Sequence, residues 1–353
     1  MKGPIGKALR RHAQGVAEAS AALGREVDVA ALGVTDRDGE LPLGPAGELV
    51  SPNGACRMFR VADGWMALNL AREEDRDLVP AWLGCDFGGA PTDDPWDLVA
   101  AEAPRQSRRS LIEQAMLLGL PACGVAEIVA SDPEPLHIVS RAWAYGAPRR
   151  TPKVVDLSAL WAGPLCGAIL AAAGCEVTKV ESVRRPDPTR TSTPGLHARL
   201  NGGKAELALD LADAADQAKL RDLILDADAV ITSARPRGLR SIGLDPEALL
   251  AARRLTWVAI TGYGLSGAVW SDDPWTNRVG FGDDTAAAGG LVAWTAAGEP
   301  RFRGDALADP VTGVAAAASA LRALAHERAG VIDAGMAPIA RRAAIICGQR
   351  RLP

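Results

Sequence analysis

From residue 153 onward the chain alternates short strand-like runs with helical periods. KVVDL, EVTKVE, ELALDL, DAVITSA and TWVAITG read as strands, a helix falls between the first two, and helical spacing follows at 214–227 and 245–253. Strand, helix, strand repeats require crossovers, so this order predicts a doubly wound, mostly parallel sheet wrapped by helices. Ligands of such sheets lie beyond the carboxyl ends of the strands. The loops to read are therefore ALWAGP, ESVRRPDPTR, SARPRG and TGYGLSG.

One stretch competes with this reading. Between Asp156 and Glu176 lie 19 uncharged residues, LSALWAGPLCGAILAAAGC, about the length of a membrane span. The Gly163-Pro164 break and the many small residues favour strand, loop and buried helix instead, because Pro164 suits a first helical turn. No membrane partner is expected.

Ahead of this region, residues 8–23 space Ala, Val and Leu at helical intervals with Gly24 as a stop. A polar stretch runs to about residue 53. CRMFRVADGWMALNL then alternates on both sides of Asp63-Gly64, a hairpin signal. Residues 71–130 read as mostly helical with a break at 119–121, and 132–152, with four prolines, reads as a linker. The expected division is an N-terminal helix and connecting segment (1–50), a small α+β domain (51–148) and a Rossmann-like domain (149–353).

Composition removes several classes of function. In 353 residues, 39 Lys+Arg face 43 Asp+Glu without a long block of one sign, which argues against a general nucleic-acid binder. The six cysteines are dispersed without CxxC spacing, and the four histidines lie apart, so neither a zinc nor a redox centre is indicated. Lys2, Lys7, Arg10 and Arg11 precede no continuous apolar core, so a secretory signal is not supported. A cytoplasmic protein with free thiols is expected.

The strand-end loops carry Arg184, Arg185, Arg190, Arg235, Arg237 and Arg240, with Lys204 in NGGK. Arginine's planar fork suits phosphate, so an anionic, phosphate-bearing ligand is expected, against the alternative of a solvated basic face. SALWAGP follows the first strand, so neither GxGxxG nor a P-loop is present.

VVDLSALWAGPLCGAILAAAGCEVTKVES, LNGGKAELALDL, DAVITSARPRGLRSIGL, VAITGYGLSG and ALADPVTGVAAAASALRAL resemble, in that order, the signatures of family III CoA-transferases, a group that includes alpha-methylacyl-CoA racemases. FRVADGWMAL through GLPACGVAEI resembles that family's small domain, which normally follows the large-domain motifs. The chain thus resembles a circularly permuted member. The resemblance implies a Rossmann-like domain plus a small domain, a homodimer, acyl-CoA and carboxylic acid substrates, and no cofactor, coenzyme A being a substrate.

Residue by residue, it implies that CoA meets Trp161 and Ala162, Ser182, Lys204 and Leu209 to Ala212. Ser233, Ala234 and Arg235, Ser241, and Thr261, Gly262, Tyr263 and Gly264 complete the set. The implied catalytic carboxylate is Asp309 in LADPVTG, which would attack a thioester to give a mixed anhydride and then an aspartyl-CoA thioester. Read locally, Asp309-Pro310 is also what an N-cap with proline at N1 looks like, and a helix N-terminus would favour the ionised carboxylate. Racemases of the group carry a His in a motif resembling RAGHDINY. Here RVGFGDDT places Phe281 there, and phenylalanine cannot carry a proton, which favours transfer over racemisation. A CoA-binding protein without turnover is the reading outside enzymology.

Overall fold

A computed structural model describes residues 3–85, 94–129, 138–139, 151–265 and 270–348. The small antiparallel sheet comes first in the chain: β1 (Cys56–Val61) pairs with β2 (Gly64–Asn69) across the turn residues Ala62 and Asp63, one residue earlier than Asp63-Gly64, and β3 (Ala122–Gly124) joins β2. Then come β4 (Ile138–Val139), β5 (Lys153–Asp156), β6 (Glu176–Ser182), β7 (Ala205–Leu209), β8 (Ala229–Thr232) and β9 (Thr256–Thr261). A two-stranded ribbon, β10 (Val292–Trp294) with β11 (Pro300–Phe302), precedes β12 (Gly330–Gly335).

The large sheet runs β4-β12-β9-β8-β5-β6-β7, all parallel except β4, which pairs antiparallel with β12. Counted in chain order, its six parallel strands lie 3-2-1-4-5-6, the doubly wound arrangement. The direction of winding reverses between β5 and β8, the place where ligands of doubly wound sheets bind. β8 and β9 are buried along their whole length because helices cover both faces. Alternate residues serve opposite cores. Val154, Ile231 and Val258 face the helices Ala162–Ala172 and Ala308–Ala325, whereas Val155, Val230 and Trp257 face Ala214–Asp226 and Pro246–Ala252.

The N-terminal helix, Gly6–Ala22, lies where its periodicity predicts, but it is not a separate element. Ala8, Leu9 and Val16 are buried in the same core as the Ala308–Ala325 helix. The small sheet and the helices between residues 73 and 118 have their own core around Met66, Leu68, Trp82 and Leu111. A second apolar cluster fastens them to the large sheet, bringing Met58, Ala67 and Cys123 against Tyr263, Ala287, Phe302 and Ala337.

Several elements differ from the sequence reading. Gly119 ends the Arg108–Leu118 helix in a left-handed cap, as the break suggests, but β3 follows it inside a stretch read as helical. Residues 138–139 of the expected linker form β4; most of the rest of that stretch lies outside the described residues. β12 completes the parallel sheet and has no counterpart among the strand-like runs of the sequence. Among the described residues no helix is long and apolar enough to cross a membrane, and the uncharged stretch resolves into turn and helix.

Candidate active site

Trp161 and Ala162 open the helix after β5, Ser182 ends β6, and Leu209 ends β7. Ser233, Ala234 and Arg235 follow β8, while Thr261 ends β9 and Gly262, Tyr263 and Gly264 continue it. Parallel strands share one direction, so all these positions fall on one edge of the sheet. At the reversal point the two loops touch: the amide of Ala159 donates to Ser233 Oγ at 3.0 Å. The β9 loop is held by Thr261 Oγ1, which accepts from the Gly264 amide at 3.0 Å, and Gly264 takes φ +86°.

The side chains at these positions differ in what they leave free. Trp161 is buried, with Nε1 donating to the Val34 carbonyl at 2.9 Å. The Tyr263 ring lies under the Arg278 guanidinium, which is 3.8 Å from the ring centroid, and its hydroxyl has no partner among the described residues. Arg184 is paired side-on with Asp210, Arg190 with Glu181 and Glu206, and Arg240 with Asp272. Arg235 is different. It is half-buried, donates to the Asn277 carbonyl at 3.1 Å and meets no carboxylate among the described residues; burial, then Arg237 and Arg72, lower its pKa.

Lys204 requires a correction. Its ammonium is fully buried and its three donors are taken by Asp156 Oδ2 at 2.7 Å, the Pro164 carbonyl at 2.9 Å and Asn201 Oδ1 at 2.9 Å. No donor is left for a phosphate. Gly167 makes the room: a Cβ there would stand 2.6 Å from Asp156 Oδ2 and 2.9 Å from Lys204 Nζ. The NGGK lysine therefore braces the helix after β5 and is not a ligand group.

Asp309 also departs from its local reading. The helix starts at Ala308 with Leu307 as N-cap, so Asp309 sits inside the first turn and Pro310 after it. The preceding turn places Ala306 at φ +43°, a left-handed conformation held by its amide, which donates to Asp283 Oδ1 at 2.7 Å. The Asp309 carboxyl is thereby aimed at the turn after β5, where the Ala162 amide donates to Oδ1 at 3.3 Å. A Cβ on Gly282 would run into Oδ2, so the Gly282–Ala288 helix packs directly on the carboxyl.

Burial raises the Asp309 pKa to about 7; Arg37 and the Ala162 amide pull it down, and Asp283 and Asp305 push it up. Desolvation thus works against the ionised form that the helix end and the Ala162 amide favour. Around it stands a polar cluster that sequence reading missed. Arg37 grips Asp305 with Nε and Nη2, and the Asn53 amide donates to Asp305 Oδ1 at 2.7 Å and Asp283 Oδ2 at 2.6 Å. Asp283 is itself raised to about 6, chiefly by burial. Arg37 and Asn53 come from the polar stretch before the hairpin, which has no periodicity to mark it. Phe281, in the racemase-histidine position, caps this loop with its amide on Asp284 Oδ1 at 2.9 Å. Among the described residues no group of three His, Cys, Asp or Glu could hold a metal ion.

Comparison with known proteins agrees with the motifs. Residues 152–340, more than half of the chain, match the family model of CoA-transferase family III. An acyl-CoA transferase of Fusarium pseudograminearum is 33% identical over 206 residues, covering 52% of this chain and 44% of that protein. A succinate–glutarate CoA-transferase of Agrobacterium fabrum is 30% identical over 190 residues, covering 49% and 46%. The crystal structure of a CAIB/BAIF family protein from Brucella suis is 29% identical, with a TM-score of 0.48 over 54% of this chain and 53% of that one. The chain spans about half the length of the curated relatives it matches. By the extent of the family match, together with the ordered motifs at the strand ends, the chain belongs to CoA-transferase family III.

Proposed function

We propose that this protein moves coenzyme A from an acyl-CoA thioester to a carboxylic acid, with Asp309 as the covalent carrier. The observation that carries the reading is a largely desolvated, half-buried carboxyl at the strand-end edge, 3.3 Å from a backbone amide and beside the switch point of the sheet. Its raised pKa, about 7, keeps a fraction ionised at neutral pH while leaving it more basic than an exposed carboxylate.

In the first half-reaction the Asp309 carboxylate attacks the thioester carbonyl, forming an acyl-aspartyl anhydride and expelling CoA thiolate. The thiolate attacks the Asp309 carbonyl carbon, giving aspartyl-CoA and the donor acid. The acceptor carboxylate then attacks aspartyl-CoA and releases thiolate, which takes the new acyl group and restores Asp309. When the Asp309 carbonyl becomes tetrahedral, negative charge develops on its oxygen next to the Ala162 amide, a donor already fixed at the start of a helix. In this reading CoA lies along the strand-end loops, and Arg235 offers a cation to one of its phosphates. A homodimer in the cytoplasm is part of the same proposal, as is the division into a small unit at 51–148 and a CoA-binding unit at 149–353.

The test is incubation with acetyl-CoA, succinyl-CoA and a 2-methylacyl-CoA, followed by hydroxylamine and peptide mass spectrometry. Hydroxamate on Asp309 and CoA passed to an added acid are expected. Absence of the adduct, together with exchange of the α-proton in deuterated water, would replace transfer by racemisation.

A further inference from the structure

A buried carboxyl left to itself holds its proton, and a nucleophile must lose it. A cation gripping the carboxylate would solve the first problem and create a second, because the attacking lone pairs would be engaged. Around Asp309 the cation is near and already occupied. Arg37 turns Nε and Nη2 onto Asp305, with Nη2 to Oδ1 at 2.8 Å, and its guanidinium lies over the Trp161 ring, 5.2 Å from the centroid. The next residue, Ala162, supplies the amide on Asp309.

Asp305 is fixed in turn. Asn53 donates to it and to Asp283, and the amide cannot be turned round, because Asn53 Oδ1 accepts from the backbone amide of Ala55 at 2.9 Å. The charged groups facing Asp309 are Arg37 from the connecting segment, Asp305 from the turn before its own helix and Asp283 from the Gly282–Ala288 helix. The Ala162–Ala172 helix packed on it carries no charged residue. The Gly6–Ala22 and Met336–Ile346 helices bring His12, Arg11 and Arg342 near Arg322, at the far end of the Ala308–Ala325 helix.

We propose that Arg37 is a positioning residue for the reaction, held by Asp305 close enough to favour ionised Asp309 yet committed elsewhere, so that the nucleophile keeps its lone pairs. The inference rests on the reading of Asp309 as the carrier. It predicts opposite effects for the two halves of the pair. In Arg37→Gln the cation is gone and Asp309 holds its proton more tightly; in Asp305→Asn the released guanidinium turns to Asp309 and the proton is lost more easily.

The experiment is ¹³C NMR of protein labelled at the aspartate carboxyl carbons, with the Asp309 signal assigned by its loss in Asp309→Asn. The parent midpoint is expected near pH 7. Arg37→Gln should raise it and Asp305→Asn should lower it, each by about one pH unit or more, as an opposite charge a few ångströms away does. Arg37→Lys, which keeps the charge, should stay within about half a unit of the parent and covers the case in which Arg37→Gln does not fold. Acylation of Asp309 by acetyl-CoA or succinyl-CoA at pH 7 should fall severalfold in both charge-removing variants, and only Arg37→Gln should recover at higher pH. Midpoints that stay put, or move in the same direction, overturn the proposal. A parent whose Asp309 titrates as described but is never acylated overturns the carrier reading instead.

Discussion

Gly282 lies against the carboxyl of Asp309 so closely that no side chain fits between them. A methyl group there would collide with Asp309 Oδ2 and stand 2.8 Å from both the Cβ and the carbonyl oxygen of Ala306. The glycine is required by this approach and not by its backbone, since it lies in an ordinary helical turn. Gly282→Ala should therefore displace the carboxyl. Overpacking of this kind costs about 1–3 kcal/mol, measurable as a lowered urea midpoint, and acylation of Asp309 should drop at least tenfold. An alanine variant with parental acylation would show that the carboxyl has another place to go.

The parallel sheet was legible because strand-like runs and helical periods alternate from residue 153, and the antiparallel hairpin because Asp63-Gly64 separates two alternating runs. The residues around Asp309 were not. Asp283 and Asp305 look like ordinary surface acids in RVGFGDDT and RGDALAD, and only tertiary packing buries Asp283 completely. Arg37 and Asn53 arrive from more than 250 residues away in sequence, through a segment without regular structure. Asp309 itself was found through its motif, but its position within the helix was misjudged. Asp-Pro is a good local start for a helix, and here the left-handed turn at Ala306, anchored on Asp283, starts it two residues sooner.

Lys204 was expected at the ligand and is found in the core, and the two roles separate experimentally. Lys204→Met leaves Asp156 ionised or protonated without its partner in a fully buried place, which costs about 3–5 kcal/mol. Burial pushes the Asp156 carboxyl up, and Lys204 and Lys179 more than reverse it. The urea midpoint should fall sharply, while CoA affinity of the folded fraction, read by calorimetry at low temperature, should change less than twofold. A tenfold loss of affinity in protein that remains folded would return Lys204 to the site.

Arg235 is the opposite case. Its carbonyl partner neutralises no charge, and Arg237 and Arg72 add to the positive field around it. Arg235→Ala should weaken CoA binding by about 1–3 kcal/mol, and the parent's affinity should fall as salt rises. Titration calorimetry in which the variant binds as tightly as the parent would remove Arg235 from the phosphate contacts.

The clearest consequence of burying Asp309 is a conflict between function and stability whose sign follows from its pKa. The value near 7 in the folded chain lies above the ordinary 3.8, so the folded state binds this proton more tightly than the unfolded state does. The resulting stabilisation is complete below pH 4 and is lost as the pH climbs towards 7, where ionising the buried carboxyl opposes folding. Asp309→Asn has no proton to lose and keeps nearly the same shape. Relative to the parent, its stability should rise by about 2–3 kcal/mol between pH 5 and pH 8, while acylation disappears. Urea titrations of both proteins at the two pH values measure the difference directly, with the other titrating groups common to both. A difference that does not change with pH would mean that Asp309 titrates in the folded chain much as it does in water, and that the protein holds no desolvated, basic nucleophile at this position.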